Sequence, residues 1–276
     1  MKSAEKKNSV LLPWLGGSLI VLGVVIAVEL FLKTGWLLLA LLPAYGLILF
    51  AAGFRRKSMT WLLPGVLLTG LGVGLFLGYS PLFKLSWEHQ LGAFLIAFSA
   101  GWIAITLIPL LFHREPAWGA LIPAGVIGGT GIVFAFTSLR FLDFVLYPSI
   151  GLGLAFLLWG YFDRLLGLII AGSLVITTGP AVFMGWIKPG QALTQTGVML
   201  VVLAFGWFLI TFFTRARMHK LVWWPLIPGG ILAMVGWGLY IGGSPGTAVN
   251  FIGNTGSIVL IILGIYLLLV RRGMRQ

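Results

Sequence analysis

Ten apolar stretches, each long enough to cross a bilayer as a helix, run along this 276-residue chain, bounded by charge or by Gly, Pro, Ser or Asn. They cover 11–32, 36–53, 60–79, 91–112, 118–138, 144–162, 165–186, 196–213, 221–240 and 251–270. About 20 apolar residues span a hydrocarbon core of about 30 Å as a helix, and none of the stretches alternates with the period of two that a membrane β-barrel requires. Only 9% of the residues are charged and 59% are hydrophobic, against roughly 25% charged in a soluble domain. That leaves too little polar surface to coat a water-exposed globule. The fold class read from the sequence is therefore an all-α membrane protein of about ten transmembrane helices, a single polytopic domain over 1–276. A soluble enzyme, a disordered chain and an ordinary nucleic-acid-binding domain are excluded by the same composition.

The net charge of +12 is distributed by loop. One set of connections holds Lys2, Lys6, Lys7, Arg55, Arg56, Lys57, Arg114, Arg164, Arg215, Arg217, Lys220, Arg271, Arg272 and Arg275. The alternate set holds only Lys33, Lys84, Arg140 and Lys188. Short loops rich in Lys and Arg stay on the cytoplasmic side, so both termini are expected in the cytoplasm and the protein in the inner (plasma) membrane. The basic start ahead of 11–32 resembles a signal peptide, but the apolar run is too long and Ala27-Val28-Glu29 is a poor cleavage site. It reads as a retained first helix.

Odd-numbered stretches open on versions of one phrase. Stretch three has Trp61, Pro64 and Gly65; stretch five has Trp118, Pro123 and Gly125; stretch nine has Trp223, Trp224, Pro228 and Gly230. Stretch one carries a scrambled form with Pro13, Trp14, Gly16 and Gly17, and stretch seven has Ile170 in place of the proline ahead of Gly172. Tryptophan suits the headgroup level, proline suits a helix's first turn, and glycine admits a neighbouring helix where apolar burial does not drive association. Even-numbered stretches end on an aromatic or apolar residue and then bases, as in Phe54-Arg55-Arg56-Lys57, Phe112-His113-Arg114 and Phe162-Asp163-Arg164. The repeating unit is a helical hairpin, five in tandem and all parallel, roughly 11–54, 60–112, 118–162, 165–213 and 221–270. The spacing of the phrase glycines alternates between short and long, which suggests an older four-helix unit, of the length that separates Gly65 from Gly172.

Ten-helix drug/metabolite transporters share this size but are built from inverted halves, whereas stretch one here matches stretches three, five and nine in the same direction. Hairpins with a Trp/Pro/Gly start, a mid-helix glycine, a short Ser80-Pro81, Gly179-Pro180 or Ser244-Pro245 turn and a basic inner end resemble the bacterial repeat-hairpin membrane proteins of the HdeD acid-resistance family. The resemblance extends over the whole chain as architecture, although that family has fewer helices. It implies an inner-membrane accessory or stress-linked role and carries over no catalytic residue.

An ionisable group inside a membrane is a functional candidate. Glu29 is the one carboxylate within a stretch, with Lys33 four residues on, which suggests an interfacial pair or a contact at an outer mouth. Glu88 and His89 share an outer turn with Trp87, and Arg140 and Asp143 flank Phe141 and Leu142 as a local ion pair. Convergence of these two sets would be needed for headgroup chemistry. His113, Arg114, Glu115, Asp163, Arg164 and His219 read as inner-turn and headgroup contacts. Thr177 and Asn254 are outer-half neutral candidates for lining a path.

No cysteine is present and the three histidines are scattered, so no metal or cofactor is expected, and no nucleophile motif or P-loop occurs. The expected function is non-enzymatic: structural, accessory or stress-related. The alternative is a transporter or channel for a neutral, amphipathic or lipid-like molecule. Expected partners are membrane lipids, with a membrane protein or a second copy bound through Gly-rich faces, and no nucleic acid.

Overall fold

The computed structural model describes residues 20–256 apart from 22, 188–189, 219–221, 243–245, 247–249, 251–252 and 254–255. These residues are helical, with no strand among them. The helices are α1 (Gly23–Leu32), α2 (Leu37–Arg56), α3 (Met59–Tyr79), α4 (Trp87–Leu107), α5 (Leu121–Phe136), α6 (Phe141–Asp163), α7 (Leu166–Trp186), α8 (Ala192–Met218) and α9 (Leu226–Gly242). Short 3-10 turns extend α4 (Ile108–Phe112) and precede α5 (Trp118–Ala120). Seven of the helices, α2 to α8 with these turns, are long and apolar enough to cross a membrane, as expected of a multi-pass membrane protein. The tenth stretch, 251–270, lies almost wholly outside the described residues.

The described residues up to Phe136 form one compact unit and those from Thr137 a second. The boundary falls inside the expected third hairpin, 118–162, after its first helix. In the first unit α2 packs on α3, α3 on α4 and α4 on α5, each helix against its neighbour in sequence. A third of the apolar stretch of α3, and likewise of α4, is buried, against 11% for α2. The helices are apolar on every side, so burial cannot select a packing face as it would in water; close approach selects it instead. A Cβ added at Gly53 would lie 2.7 Å from the Leu62 nitrogen, one at Gly65 would meet the backbone of Phe50, and one at Gly46 the backbone of Thr69. These contacts join α2 to α3. Gly74 and Gly78 meet the carbonyls of Phe94 and Gln90, joining α3 to α4, and Gly92 meets the Ala135 nitrogen at 2.6 Å, joining α4 to α5. Leu62, Val66, Ile105 and Ile108 fill the space between α3 and α4, with Phe50, Trp102 and Phe112 packed around them.

The second unit repeats this order: α6 on α7, α7 on α8, α8 on α9. Its close approaches fall at matching positions. Gly153 meets Ile176, Gly160 meets the Ile169 nitrogen at 2.7 Å and Gly172 meets the Leu157 nitrogen at 2.6 Å. One constant shift in numbering, the step from Gly65 to Gly172, carries the pairs Gly46–Thr69, Gly53–Leu62 and Gly65–Phe50 onto these three. In the later helices the shift is slightly smaller, the step from Gly92 to Gly197: Gly197 meets Tyr240 as Gly92 meets Ala135, and Gly236 meets Val201 as Gly131 meets Ile96. The turn between α7 and α8 is thus a little shorter than the turn between α3 and α4.

The helix ends match as well. Lys57 and Arg164 close α2 and α6 in the left-handed region (φ 49° and 57°). The next amides, of Ser58 and Leu165, reach back to the Gly53 and Gly160 carbonyls at 3.0 and 2.9 Å, in the pattern that satisfies the last carbonyls of a helix.

Two expectations about the phrase residues change. Pro123 and Pro228 stand in the opening turn of α5 and α9, but Pro64 is the sixth residue of α3, because the helix starts at Met59, ahead of Trp61. A Cβ at Gly230 or Gly23 meets nothing within 4 Å among the described residues, so neither seats a described helix as Gly65 and Gly172 do.

Candidate functional site

The expected pairing of Glu29 with Lys33 is replaced by a helix cap. Lys33 takes a left-handed conformation (φ 51°) that ends α1, and the chain turns at once into α2. The first amides of a helix have no intrahelical partner. The buried Glu29 carboxylate accepts the Gly35 amide on one oxygen, and on the other the Leu37 amide at 3.2 Å and the Thr34 hydroxyl at 2.8 Å. Both oxygens are thus committed within one turn, and Lys33 is not among their partners.

Asp143 follows the same logic. Its carboxylate accepts the backbone amide of Arg140 at 3.1 Å and its own amide donates to the Arg140 carbonyl at 2.9 Å. This is a reciprocal cap on α6 rather than an ion pair with the Arg140 guanidinium. Asp143 is buried while Arg140 is exposed, which fits a backbone role for the acid.

Glu88 and His89 lie in the first turn of α4, where negative charge is favoured. The His89 Nδ1 is 2.6 Å from the hydroxyl of Ser86, a residue that sequence reasoning passed over, and the Gln90 side chain donates to the Leu85 carbonyl at 3.0 Å. The bond between Ser86 and His89 is exposed. Glu88 and His89 belong to the first unit, Arg140 and Asp143 to the second.

Thr177 is buried in α7 with its hydroxyl donated back to the Ser173 and Leu174 carbonyls at 2.9 and 3.1 Å, and it packs where Gly206 of α8 approaches. Ser173 is fully buried and its hydroxyl has no partner among the described residues. Asn254 lies outside the described residues. Among those residues no group of three His, Cys, Asp or Glu side chains is placed to hold a metal ion.

A concavity lies at the end of the first unit where α2 and α4 both stop. Pro109 lacks the amide that would continue α4, so the helix gives way after Leu107 to the 3-10 turn and closes at His113 in the left-handed region (φ 54°). Lys57 closes α2 alongside. A cleft of about 360 Å³ opens between them, lined by Phe54, Lys57, Leu111, Phe112, His113 and Arg114. Phe54 and Phe112 pack at 5.5 Å between ring centroids. No carboxylate lines the cleft among the described residues. The sequence signal for it, an aromatic residue followed by bases at the end of stretches two and four, reads as a topology mark until the two ends are seen to share one hollow.

The matching helix ends of the second unit are built differently among the described residues. By the same two shifts in numbering, Tyr161 stands for Phe54 and Arg217 stands for Phe112. The Arg217 guanidinium lies over the Tyr161 ring at 5.4 Å and its Nε donates to the Tyr161 carbonyl at 2.9 Å. Thr214 replaces Pro109, its hydroxyl bonded to the Ile210 carbonyl at 2.6 Å, and α8 continues unbroken to Met218.

No protein-family model, curated protein or solved structure matches the chain.

Proposed function

We propose that this chain is a non-enzymatic integral membrane protein of structural, accessory or stress-related role, seated in a bacterial inner membrane with both termini in the cytoplasm. Its ten helices form five parallel hairpins. The observation that carries the reading is serial packing. Within each unit the helices line up in chain order through glycine contacts, as in arrays where each element binds only its neighbours. Such a row offers long apolar flanks to lipid, to a second copy or to another membrane protein. Glycine contacts matched between the units support descent of α2–α5 and α6–α9 from one four-helix unit. The acids support the reading too, since Glu29 and Asp143 are spent on helix caps.

The test is reconstitution of the full chain in sealed vesicles, followed by flux of ions and of neutral and amphipathic solutes. The proposed role predicts leakage equal to that of protein-free vesicles. Saturable flux of any solute would overturn it in favour of a transporter or channel.

A further inference from the structure

We infer that the cleft between the ends of α2 and α4 is a binding site for a phosphate-bearing anion, and that its occupant is the headgroup of an anionic lipid. The inference rests on the membrane reading above and adds a ligand class to it.

Three observations converge. The rim carries Lys57, His113 and Arg114, and no carboxylate among the described residues shares the lining. Bases at helix C-termini complement the partial negative charge there, yet none of these three side chains has a hydrogen-bond or carboxylate partner among the described residues, so their donors are free to bind a ligand. Arg and Lys are the side chains best suited to phosphate oxygens, the first by a planar fork and the second as a point charge.

The hollow is also amphipathic. Phe54, Leu111 and Phe112 supply apolar surface beside the bases, and Leu111 and Phe54 are 64% and 49% exposed. A free phosphate has no use for that surface, whereas a lipid brings acyl chain and headgroup together. Finally, among the described residues the matching helix ends of the second unit are built differently. Where the second unit has a helical turn and Arg217 folded onto Tyr161, the first has Pro109 and a 3-10 turn. The two units share their interior contacts, so the difference lies in the sequence of this end.

A photoreactive amino acid at Leu111, with the same probe at the equivalent exposed position Ala216 of the second unit, tests the inference in the full-length chain. The protein is reconstituted in vesicles of phosphatidylcholine alone or of phosphatidylcholine and phosphatidylglycerol in equal parts, and the labelled lipid is identified by mass spectrometry. The expected result is labelling of phosphatidylglycerol over phosphatidylcholine at Leu111 by about thirtyfold, the worth of two basic residues near an anionic surface, and no preference at Ala216. The combined variant Lys57→Gln, His113→Gln, Arg114→Gln should abolish the preference while Leu111 still labels lipid, which also shows that the protein has folded. Inorganic phosphate added in excess should leave the labelling unchanged. Displacement of phosphatidylglycerol by phosphate would overturn the lipid assignment and make the occupant a soluble anion. Equal labelling of both lipids at Leu111 would overturn the site but leave the membrane reading intact. Failure of both probes to label any lipid would overturn the membrane reading and the site with it.

Discussion

Gly65→Ala forces α2 and α3 apart. The added Cβ would lie 2.5 Å from the Phe50 nitrogen and 2.9 Å from its Cα, and ordinary contact starts at 3.4 Å. In an interior packed as densely as a crystal, the two helices must therefore separate by about 0.9 Å at that level. Both neighbours are backbone atoms, so no rotamer change relieves the clash. A gap of about 0.5–1 Å forfeits a quarter to a half of each dispersion contact across the interface, and overpacking of this kind costs about 1–3 kcal/mol. Alanine also improves helix propensity by about 1 kcal/mol over glycine, which a second variant cancels. Gly230 sits inside α9, where a Cβ meets nothing within 4 Å among the described residues. The comparison of Gly65→Ala with Gly230→Ala isolates the steric cost. Unfolding by sodium dodecyl sulfate in mixed micelles, followed by far-ultraviolet circular dichroism, should rank Gly65→Ala below Gly230→Ala by about 1–3 kcal/mol. Gly172→Ala, at the matching position of the second unit, should fall with Gly65→Ala. Equal stability of Gly65→Ala and Gly230→Ala, or a reversed order, would refute the argument that close backbone approach holds the helices together.

Other consequences are accessible to the same assays. Arg217→Ala removes a hydrogen bond to the Tyr161 carbonyl and a guanidinium from the Tyr161 ring; it should cost about 1–2 kcal/mol, while Arg215→Ala, on an exposed position, should change stability by less than about 0.5 kcal/mol. Ser173→Ala deletes a buried hydroxyl with no partner among the described residues, so it should be neutral or stabilising by about 1 kcal/mol; a loss of that size would show that the hydroxyl is satisfied. Glu29→Gln substitutes a donor for one of the oxygens that cap α2. It should speed hydrogen exchange at the Gly35 and Leu37 amides without altering solute flux, and unchanged exchange would contradict the cap.

The seven long apolar helices were legible because their signal is composition over about 20 residues, which packing does not modify. The expected stretch 60–79 and the observed Met59–Tyr79 differ by a single residue. Packing partners were legible only in part. Gly65, Gly172, Gly131 and Gly236 do meet neighbours, but Gly230 carries the same local sequence and meets none among the described residues, because sequence spacing marks a helix face without showing which helix lies beyond it. Charges misled for a related reason. Glu29 with Lys33 and Arg140 with Asp143 look like ion pairs at helical spacing, yet each acid stands beside a helix start whose unpaired amides bind more directly than a mobile cationic side chain. The cleft was hidden because its parts, Phe54–Lys57 and Phe112–Arg114, are far apart in the chain, and because the consequence of Pro109 depends on the next helix end being alongside.

The account depends most on a chain threaded back and forth with its basic turns on one side, and the absence of cysteine makes that directly measurable. Single variants Ser58→Cys, Ser86→Cys and Ser138→Cys in intact cells, treated with a membrane-impermeant maleimide, report the sidedness of three turns. The account predicts that Ser86→Cys and Ser138→Cys label from outside and that Ser58→Cys labels only after the membrane is opened. Labelling of Ser58→Cys in intact cells, or protection of both other positions, would contradict it.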